Sequence, residues 1–171
     1  DKINIYQVDV GQADPLSPAS PAFVSVNPGE GPRHFIFHPN NTFAYLIHEM
    51  TGVISVYDYV DGKLNAKQSV PMTTFKGTID ASDIHTSPDG KFLLSGSSDN
   101  SAKIWNTQTG AELATLMAIG TEDWMVATPD GLFDASPGAM NSVYFVVGLE
   151  IVSIDQLKER YYEPGLLAKV L

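Results

Sequence analysis

The sequence contains no cysteine among its 171 residues, so it offers no disulfide, no thiolate ligand for zinc and no cysteine nucleophile. Basic residues are scarce, since 10 Lys and Arg stand against 20 Asp and Glu, a formal net charge of −10. That charge argues against nucleic acid or an anionic membrane as a partner, because both surfaces repel an acidic protein. No apolar run approaches the roughly 18 residues of a membrane span, and the first ten residues lack the pattern of a secretory signal. We therefore expect a cytoplasmic globular protein.

A sequence motif that is typical of a strand, a tight turn and a second strand recurs three times, at residues 38–45, 87–94 and 128–133. Each copy carries a proline, Pro39, Pro88 or Pro129, followed by Asn or Asp and then by Asn or Gly. Proline fixes φ in such a turn, and Gly or Asn tolerates the positive φ that closes it. The prolines are 49 and 41 residues apart, which indicates a structural repeat.

Alternating strand patterns that end in an aromatic residue also recur, at residues 2–6, 53–57 and 102–105. A repeat of about 40 to 50 residues that holds about four short strands is typical of a β-propeller blade. We therefore predict an all-β fold of about three four-stranded antiparallel blades. The predicted strands are 2–9, 22–27, 34–38, 43–48, 53–59, 64–71, 82–87, 92–97, 102–106, 111–118, 124–128, 132–135 and 142–147.

The last part of the chain, residues 149–171, is predicted to be a helical tail that packs against the strands. Ser153 is the candidate N-cap of its first helix, with Gln156 in the capping-box position. Pro164 and Gly165 end that helix, and residues 166–171 form a second apolar turn or helix.

About three blades are too few for a closed ring, because closed propellers have at least four. An open array leaves unpaired edge strands, which favour pairing with another chain. We expect a homo-oligomer, with a dimer of six blades as the simplest symmetric closure.

Residues 31–39, 43–49, 53–59 and 83–93 resemble the seven-bladed lactonase family, which includes 6-phosphogluconolactonases and carboxymuconate-lactonising enzymes. The resemblance covers residues 1–93, which we interpret as lactonase-like blades. Residues 94–106 and 109–113 resemble a WD-repeat blade, and residues 124–137 and 161–167 are similar to the segment that follows WD repeats in some bacterial proteins. We interpret residues 94–148 as a WD-like blade and a following half-blade. The chain thus has the pattern of a chimera of two propeller families.

The lactonase resemblance implies a catalytic Arg in the Gly-Pro-Arg-His phrase and a catalytic Glu sixteen residues later, which correspond to Arg33 and Glu49. Arg33 would hold an anionic group or the developing oxyanion, and Glu49 would act as base. His34 is a candidate for assistance, and so is His48. The family's further Arg is replaced by Ser98, and its further His belongs to a blade that the sequence lacks.

Other polar residues are interpreted as structural. His38 and His85 lie in strand repeats without the spacing of a metal site, so no metal or cofactor is predicted. The WD resemblance implies a buried hydrogen-bond network, for which Trp105, Ser97 and Asp99 are candidates.

Two functions follow from this sequence. The first is a non-enzymatic, self-assembling propeller scaffold or binding module, which we favour because the catalytic set is incomplete. The alternative is a metal-independent lactone hydrolase that acts on a sugar-acid lactone such as 6-phosphogluconolactone, with a small anionic ligand in a central funnel.

Overall fold

The computed structural model describes residues 1–75 and 79–171. It divides into two compact units, Asp1–Gly90 and Lys91–Leu171. Strands dominate both units, and the helices lie between residues 137 and 170. In the part of the chain that is described, no helix is long and apolar enough to cross a membrane.

The first unit is built from two antiparallel sheets and a further strand. Strand β1 pairs with β2 in a hairpin, and β3 to β6 form a four-stranded antiparallel blade in chain order. Strand β7 packs beside β3 and β4. The bounds are β1 Lys2–Val8, β2 Leu16–Ser25, β3 Pro32–Phe37, β4 Phe43–His48, β5 Val53–Val60, β6 Lys63–Pro71 and β7 Ala81–Thr86.

The core of the first unit is centred on β4. Every residue from Ala44 to His48 is buried, so both faces of this strand are covered. Ile54 and Tyr57 extend the core on to β5. A strand buried on both faces reads as a continuous apolar run, and the sequence of β4 has that run until it ends in His48.

The three recurring turns adopt the conformation that the sequence predicts. In each, the residue two places after the proline has positive φ: 57° for Asn41, 73° for Gly90 and 94° for Gly131. Its amide donates to the carbonyl three residues earlier, at 2.8, 2.9 and 3.0 Å respectively. Gly90 is required by a neighbour as well, because a Cβ there would lie 2.4 Å from Nε2 of His38. Nε2 of His38 lies 2.9 Å from the carbonyl oxygen of Gly90, as expected of a structural histidine.

The second unit is a five-stranded antiparallel sheet in the order β12-β11-β10-β9-β8, followed by a hairpin and short helices. The strands are β8 Phe92–Ser97, β9 Ser101–Asn106, β10 Glu112–Ile119, β11 Asp123–Ala127 and β12 Phe133–Ala135. The remaining elements are α1 Pro137–Ser142, β13 Tyr144–Val147, β14 Glu150–Ser153, a 3₁₀ turn Ile154–Leu157, α2 Lys158–Tyr161 and α3 Leu166–Val170.

The half-blade predicted after residue 123 differs from the structure. Strands β11 and β12 continue the sheet at the free edge of β10. Residues 137–142, which lie between the predicted strands 132–135 and 142–147, are helical, and the second of these strands pairs with β14 instead of joining β12. Ser136 and Pro137 explain the helix: the Ser136 hydroxyl caps the Ala139 amide, and proline occupies the first helical turn.

Residues 149–171 were predicted to be helical, but Glu150–Ser153 is strand β14, which pairs with β13, and the helical turns begin only at Ile154. The predicted N-cap of the first helix also differs from the structure. Ser153 precedes the 3₁₀ turn, but its side chain makes no capping hydrogen bond there, so the capping-box prediction is wrong. Ile154 is fully buried against Met125 and Phe133, while Leu166 packs against the pair Ala114 and Val126.

Trp105 is a buried core residue whose indole N–H donates to the Ser95 hydroxyl at 2.9 Å. The predicted network joined Trp105 to Ser97 and Asp99, but Ser95 accepts from the indole. The Asp99 carboxylate accepts from the amide and hydroxyl of Ser101, at 2.9 and 2.6 Å, and also makes a hydrogen bond with the Ser97 side chain. Ser95 points inward from β8 and is fully buried, which is why it meets the indole.

The structure therefore confirms an all-β fold of antiparallel propeller blades with a short helical tail.

Candidate functional site

Arg33 lies in a β-bulge at the start of β3. The pairing of β3 with β4 joins Pro32 to His48 and then His34 to Ile47, so Arg33 is the extra residue between these two pairs. A bulge bends its strand and redirects a side chain, and bulges are frequent beside active sites. Because of it, two consecutive side chains, Arg33 and His34, both reach strand β7.

The Arg33 guanidinium is held by two acceptors. Its Nε donates to the carbonyl oxygen of Ser82 at 3.0 Å, and its Nη1 forms an ion pair with Oε1 of Glu49. The Glu49 backbone is fixed as well, since its amide donates to the Gly31 carbonyl at 2.8 Å and its carbonyl accepts from Ala81 at 3.1 Å. Both charged side chains remain about 40% exposed, so this ordered pair can still meet a dissolved molecule.

Next to this pair lies a cluster of two histidines and one carboxylate. Nδ1 of His34 lies 2.6 Å from Oδ1 of Asp83, and Nε2 of His85 lies 2.9 Å from Oδ2 of the same carboxylate. The amide of Ile84 donates to Oδ1 at 2.8 Å. All three side chains of the cluster are about half exposed.

These contacts keep Asp83 ionised. The hydrogen bond from His34 lowers the pKa of Asp83 to about 2, burial opposes the shift, and His85 and the Ile84 amide add to it. An ionised carboxylate only accepts hydrogen bonds, so the facing nitrogens of both imidazoles must carry protons. Asp83 therefore fixes the Nδ1–H form of His34 and leaves its Nε2 facing away from the carboxylate.

His48 is close to Glu49 in sequence but is fully buried. Its Nε2 lies 2.8 Å from the hydroxyl of Ser55, and Oε2 of Glu30 lies 3.4 Å from its Nδ1. At that distance Glu30 acts on His48 through its charge, and Nδ1 makes no hydrogen bond with any described residue. Burial lowers the pKa of His48, and Glu30 partly offsets the effect. His48 is thus a neutral core residue and does not reach the exposed pair.

Replacing His48 with glutamine is expected to flatten the dependence of stability on pH. Since the pKa of His48 is lower in the folded state than its ordinary value of 6.5, the unfolded chain takes up the proton more readily. Its stabilising contribution is complete above pH 6.5 and is lost as the pH falls through the lowered folded value. Urea unfolding of both proteins between about pH 7.5 and 5 measures this, and parallel pH curves would contradict it.

The structure places the sequence-predicted residues in two groups. Arg33 and Glu49 are in direct contact. His34 follows Arg33 on β3 but bonds to Asp83. Asp83, Ser82 and His85 were missed as site residues. The 49-residue repeat could have found Ser82 and Asp83, because it aligns Arg33 with Ser82 and His34 with Asp83, and these aligned residues touch on adjacent strands.

A cavity of about 550 Å³ also lies beside β3, against the β1-β2 hairpin. Phe35, Phe37 and Tyr59 contribute an aromatic wall, with ring centroids 5.2 and 4.8 Å apart. Its lining does not include Arg33, His34 or Glu49. Among the residues that the structure describes, no group of three His, Asp or Glu side chains has the geometry to hold a metal ion.

Comparison with known proteins gives a consistent result. Residues 1–124 match the family model described as "Lactonase, 7-bladed beta-propeller". The 6-phosphogluconolactonase of Yersinia pestis is 30% identical over 135 residues, which are 77% of this chain and 39% of that protein. The 6-phosphogluconolactonase of Formosa agariphila is 36% identical over 94 residues, 54% of this chain and 27% of that protein.

Solved structures give the same result. The periplasmic gluconolactonase PpgL of Pseudomonas aeruginosa has a TM-score of 0.63 and 31% identity, over 77% of this chain and 42% of its own. A candidate 6-phosphogluconolactonase of Bacteroides fragilis has a TM-score of 0.61 and 26% identity, over 91% of this chain and 48% of its own. This chain therefore spans less than half the length of these relatives. WD40 repeats of RRP9 align with this chain at a TM-score of 0.43.

These findings contradict the preferred functional interpretation of the sequence. A non-enzymatic scaffold is not supported, because the curated relatives cited above are named as enzymes and one solved relative is a gluconolactonase. That interpretation rested on catalytic residues of the family that this chain lacks, such as the arginine that Ser98 replaces. The pair that is present, Arg33 and Glu49, is formed in the structure. The family match also runs past residue 93, so it gives no support for a chimera joined there.

Proposed function

Because the chain belongs to the seven-bladed β-propeller lactonase family, we propose that it hydrolyses the lactone of a sugar acid, with Arg33 and Glu49 as catalytic residues. The observation that carries the proposal is the ordered, half-exposed ion pair of Arg33 and Glu49, which lies within the matched residues. The relatives are named for 6-phosphogluconolactone and for gluconolactone, so the substrate class is a six-carbon sugar-acid lactone with or without a phosphate.

The chemistry needs a cation and a base. Attack of water on the lactone carbonyl places negative charge on its oxygen, and the N–H groups of Arg33 can stabilise that charge. The Glu49 carboxylate can accept the proton of the attacking water. With a net charge of −10, the protein otherwise repels a phosphorylated lactone, which makes Arg33 important for binding that substrate.

The test is hydrolysis of 6-phosphoglucono-δ-lactone and of glucono-δ-lactone, followed as acid release at constant pH and corrected for the uncatalysed rate. Glu49→Gln is expected to lower kcat by about 100-fold or more, because the amide cannot take the proton. Asp58→Asn is the matched control, since Asp58 forms an equally exposed ion pair with Lys67 at 2.8 Å. A wild-type rate equal to the buffer rate on both lactones would refute the proposal, and so would an active Glu49→Gln protein.

Self-association into a dimer and a cytoplasmic location remain predictions from the sequence. Molar mass by light scattering would test the first, with a monomer of 18.5 kDa as the contrary result. One similar structure is named as periplasmic, so the comparisons leave the second open.

A further inference from the structure

The proposed hydrolysis needs a second proton transfer that Arg33 and Glu49 do not supply. When the bond between the carbonyl carbon and the ring oxygen breaks, the ring oxygen leaves as an alkoxide, a poor leaving group unless it is protonated. Glu49 is engaged in taking the proton from water, and Arg33 does not release protons at neutral pH. A separate acid at this site would complete the reaction.

We propose that His34 is that general acid and that Asp83 is its positioning residue, which orients the imidazole and stabilises its protonated form. This inference rests on the proposed lactonase function. His34 is adjacent to Arg33 in the chain, and both side chains reach β7 because of the bulge. Nδ1–H of His34 donates to Asp83 at 2.6 Å, so the reactive nitrogen is Nε2.

Nε2 of His34 is available for this role. Its imidazole is about half exposed, and Nε2 has no hydrogen-bond partner among the described residues. A histidine held at Nδ1 by a carboxylate presents Nε2 in a fixed direction, and the carboxylate stabilises the imidazolium. Asp83 is itself fixed by three donors, which are His34, His85 and the Ile84 amide.

One carboxylate lies directly against His34. The titratable and charged groups on β3 and on the elements packed against it are Arg33, Tyr45, His48, Glu49, Asp83 and His85. Arg33 is offset by Glu49, whereas His48 and Tyr45 are buried and uncharged at neutral pH. Asp83 is then the carboxylate that His34 meets directly, although it shares that carboxylate with His85.

The reaction balances with these groups. The water oxygen bonds to the carbonyl carbon while Glu49 takes one water proton, and the ring carbon–oxygen bond breaks while Nε2–H of His34 protonates the leaving oxygen. The product is the open-chain hydroxy acid. Solvent then returns a proton to His34 and removes one from Glu49, so the site is restored without any further reactant.

The first experiment is the pH profile of kcat/KM for glucono-δ-lactone in wild type and in Asp83→Asn. A general acid must be protonated, so activity falls at high pH as it loses its proton. Removing the Asp83 charge makes the imidazolium less stable, and we expect the alkaline limb to move to lower pH by roughly one unit. Asp58→Asn, which removes an exposed carboxylate on β5, is the control and should keep the wild-type limb. An unmoved limb in Asp83→Asn would overturn the role of Asp83.

The second experiment is chemical rescue. His34→Ala is expected to lower kcat by about 100-fold, and imidazole added to the solution should restore part of the rate by supplying the missing acid. Arg33→Ala should not respond to imidazole. If His34→Ala retains the wild-type rate, or loses it without rescue while its circular dichroism matches wild type, the general-acid role is wrong and the proposed lactonase function stands.

A measurement independent of turnover tests the same geometry. Long-range ¹H–¹⁵N correlation spectra report which imidazole nitrogen carries the proton, and neutral His34 should be the Nδ1–H tautomer in wild type and lose that preference in Asp83→Asn. An Nε2–H tautomer in the wild type would overturn the inference whatever the activity. A wild-type protein without lactonase activity would refute the proposed function and, with it, the acid role of His34.

Discussion

Replacing Arg33 with methionine is expected to lower kcat/KM for a sugar-acid lactone by about 100- to 1000-fold. Removal of one donor to a developing oxyanion typically has an effect of this size. Methionine retains an unbranched apolar stem and removes the charge together with the donors at Nε and Nη1. Initial rates on glucono-δ-lactone over a range of concentrations would measure the change in kcat/KM.

The matched control is Lys67→Met. Lys67 pairs with Asp58 at 2.8 Å, and the two side chains are as exposed as those of Arg33 and Glu49. An exposed pair of this kind contributes little to stability, so we expect kcat/KM to stay within about twofold of wild type. Equal losses in both variants would show that charge removal acts on the whole protein, and would contradict a specific role for Arg33.

Arg33→Lys separates charge from geometry. A lysine ammonium retains the charge but has no rigid fork with which to meet the Ser82 carbonyl and the Glu49 carboxylate together. We expect its kcat/KM to lie near that of Arg33→Met if orientation matters most. A rate near wild type would show that the positive charge alone is sufficient.

Much of the fold could be predicted because short local sequence patterns determine its turns and strands. The Pro-Asp-Gly turns need a positive φ at their third residue, and a turn of that kind fixes where the flanking strands end. Strand β4 is a continuous apolar run, and its predicted bounds of 43–48 match the structure. Because the same local patterns occur in each repeat, the four-stranded blade of β3 to β6 could be predicted from the sequence with small errors in the strand bounds.

The second unit was harder because its pairing depends on contacts that are distant in sequence. Strand β11 pairs with β10 through a tight hairpin from Ile119 to Asp123, where the repeat pattern suggested the start of a new blade. Asp123 then accepts a hydrogen bond from the Ser136 hydroxyl at 2.6 Å, which ties the first turn of α1 to β11. A spacing of 13 residues between two polar side chains carries no periodic signal, so sequence patterns did not show this link.

The residues of the candidate site also divide into those that a local sequence motif identifies and those that only tertiary contacts bring together. Arg33 and Glu49 could be named from a family motif, since both lie within one short stretch of sequence. Asp83 meets His34 because β7 lies beside β3, and the sequence signal for that carboxylate is the 49-residue repeat rather than a local motif. The bulge that turns Arg33 toward β7 is likewise a feature of strand pairing. Tertiary neighbours, rather than the residues of the motif, therefore decide how the site is oriented.

Replacing Leu46 with alanine is expected to destabilise the first unit by about 2 to 5 kcal/mol. Leu46 is 2% exposed and lies in the middle of β4, so the substitution leaves a cavity that the surrounding strands cannot fill. Since β4 leads directly into Glu49, loss of this strand also removes the candidate site. Hydrogen exchange followed by mass spectrometry would measure the effect, with faster exchange in peptides that cover residues 43–60 and a melting temperature lower by roughly 10 °C or more.

Leu94→Ala makes the same chemical change at a partly solvated position and serves as the control. Leu94 lies on β8 and is 41% exposed, so its truncation removes fewer contacts and leaves no closed cavity. We expect a cost below about 1 kcal/mol, with wild-type exchange in residues 43–60. If the two variants lost equal stability, burial on β4 would not be what holds the first unit together. If Leu46→Ala were destabilised while its lactonase rate at low temperature stayed at the wild-type level, β4 would stabilise the unit without setting the geometry of Glu49.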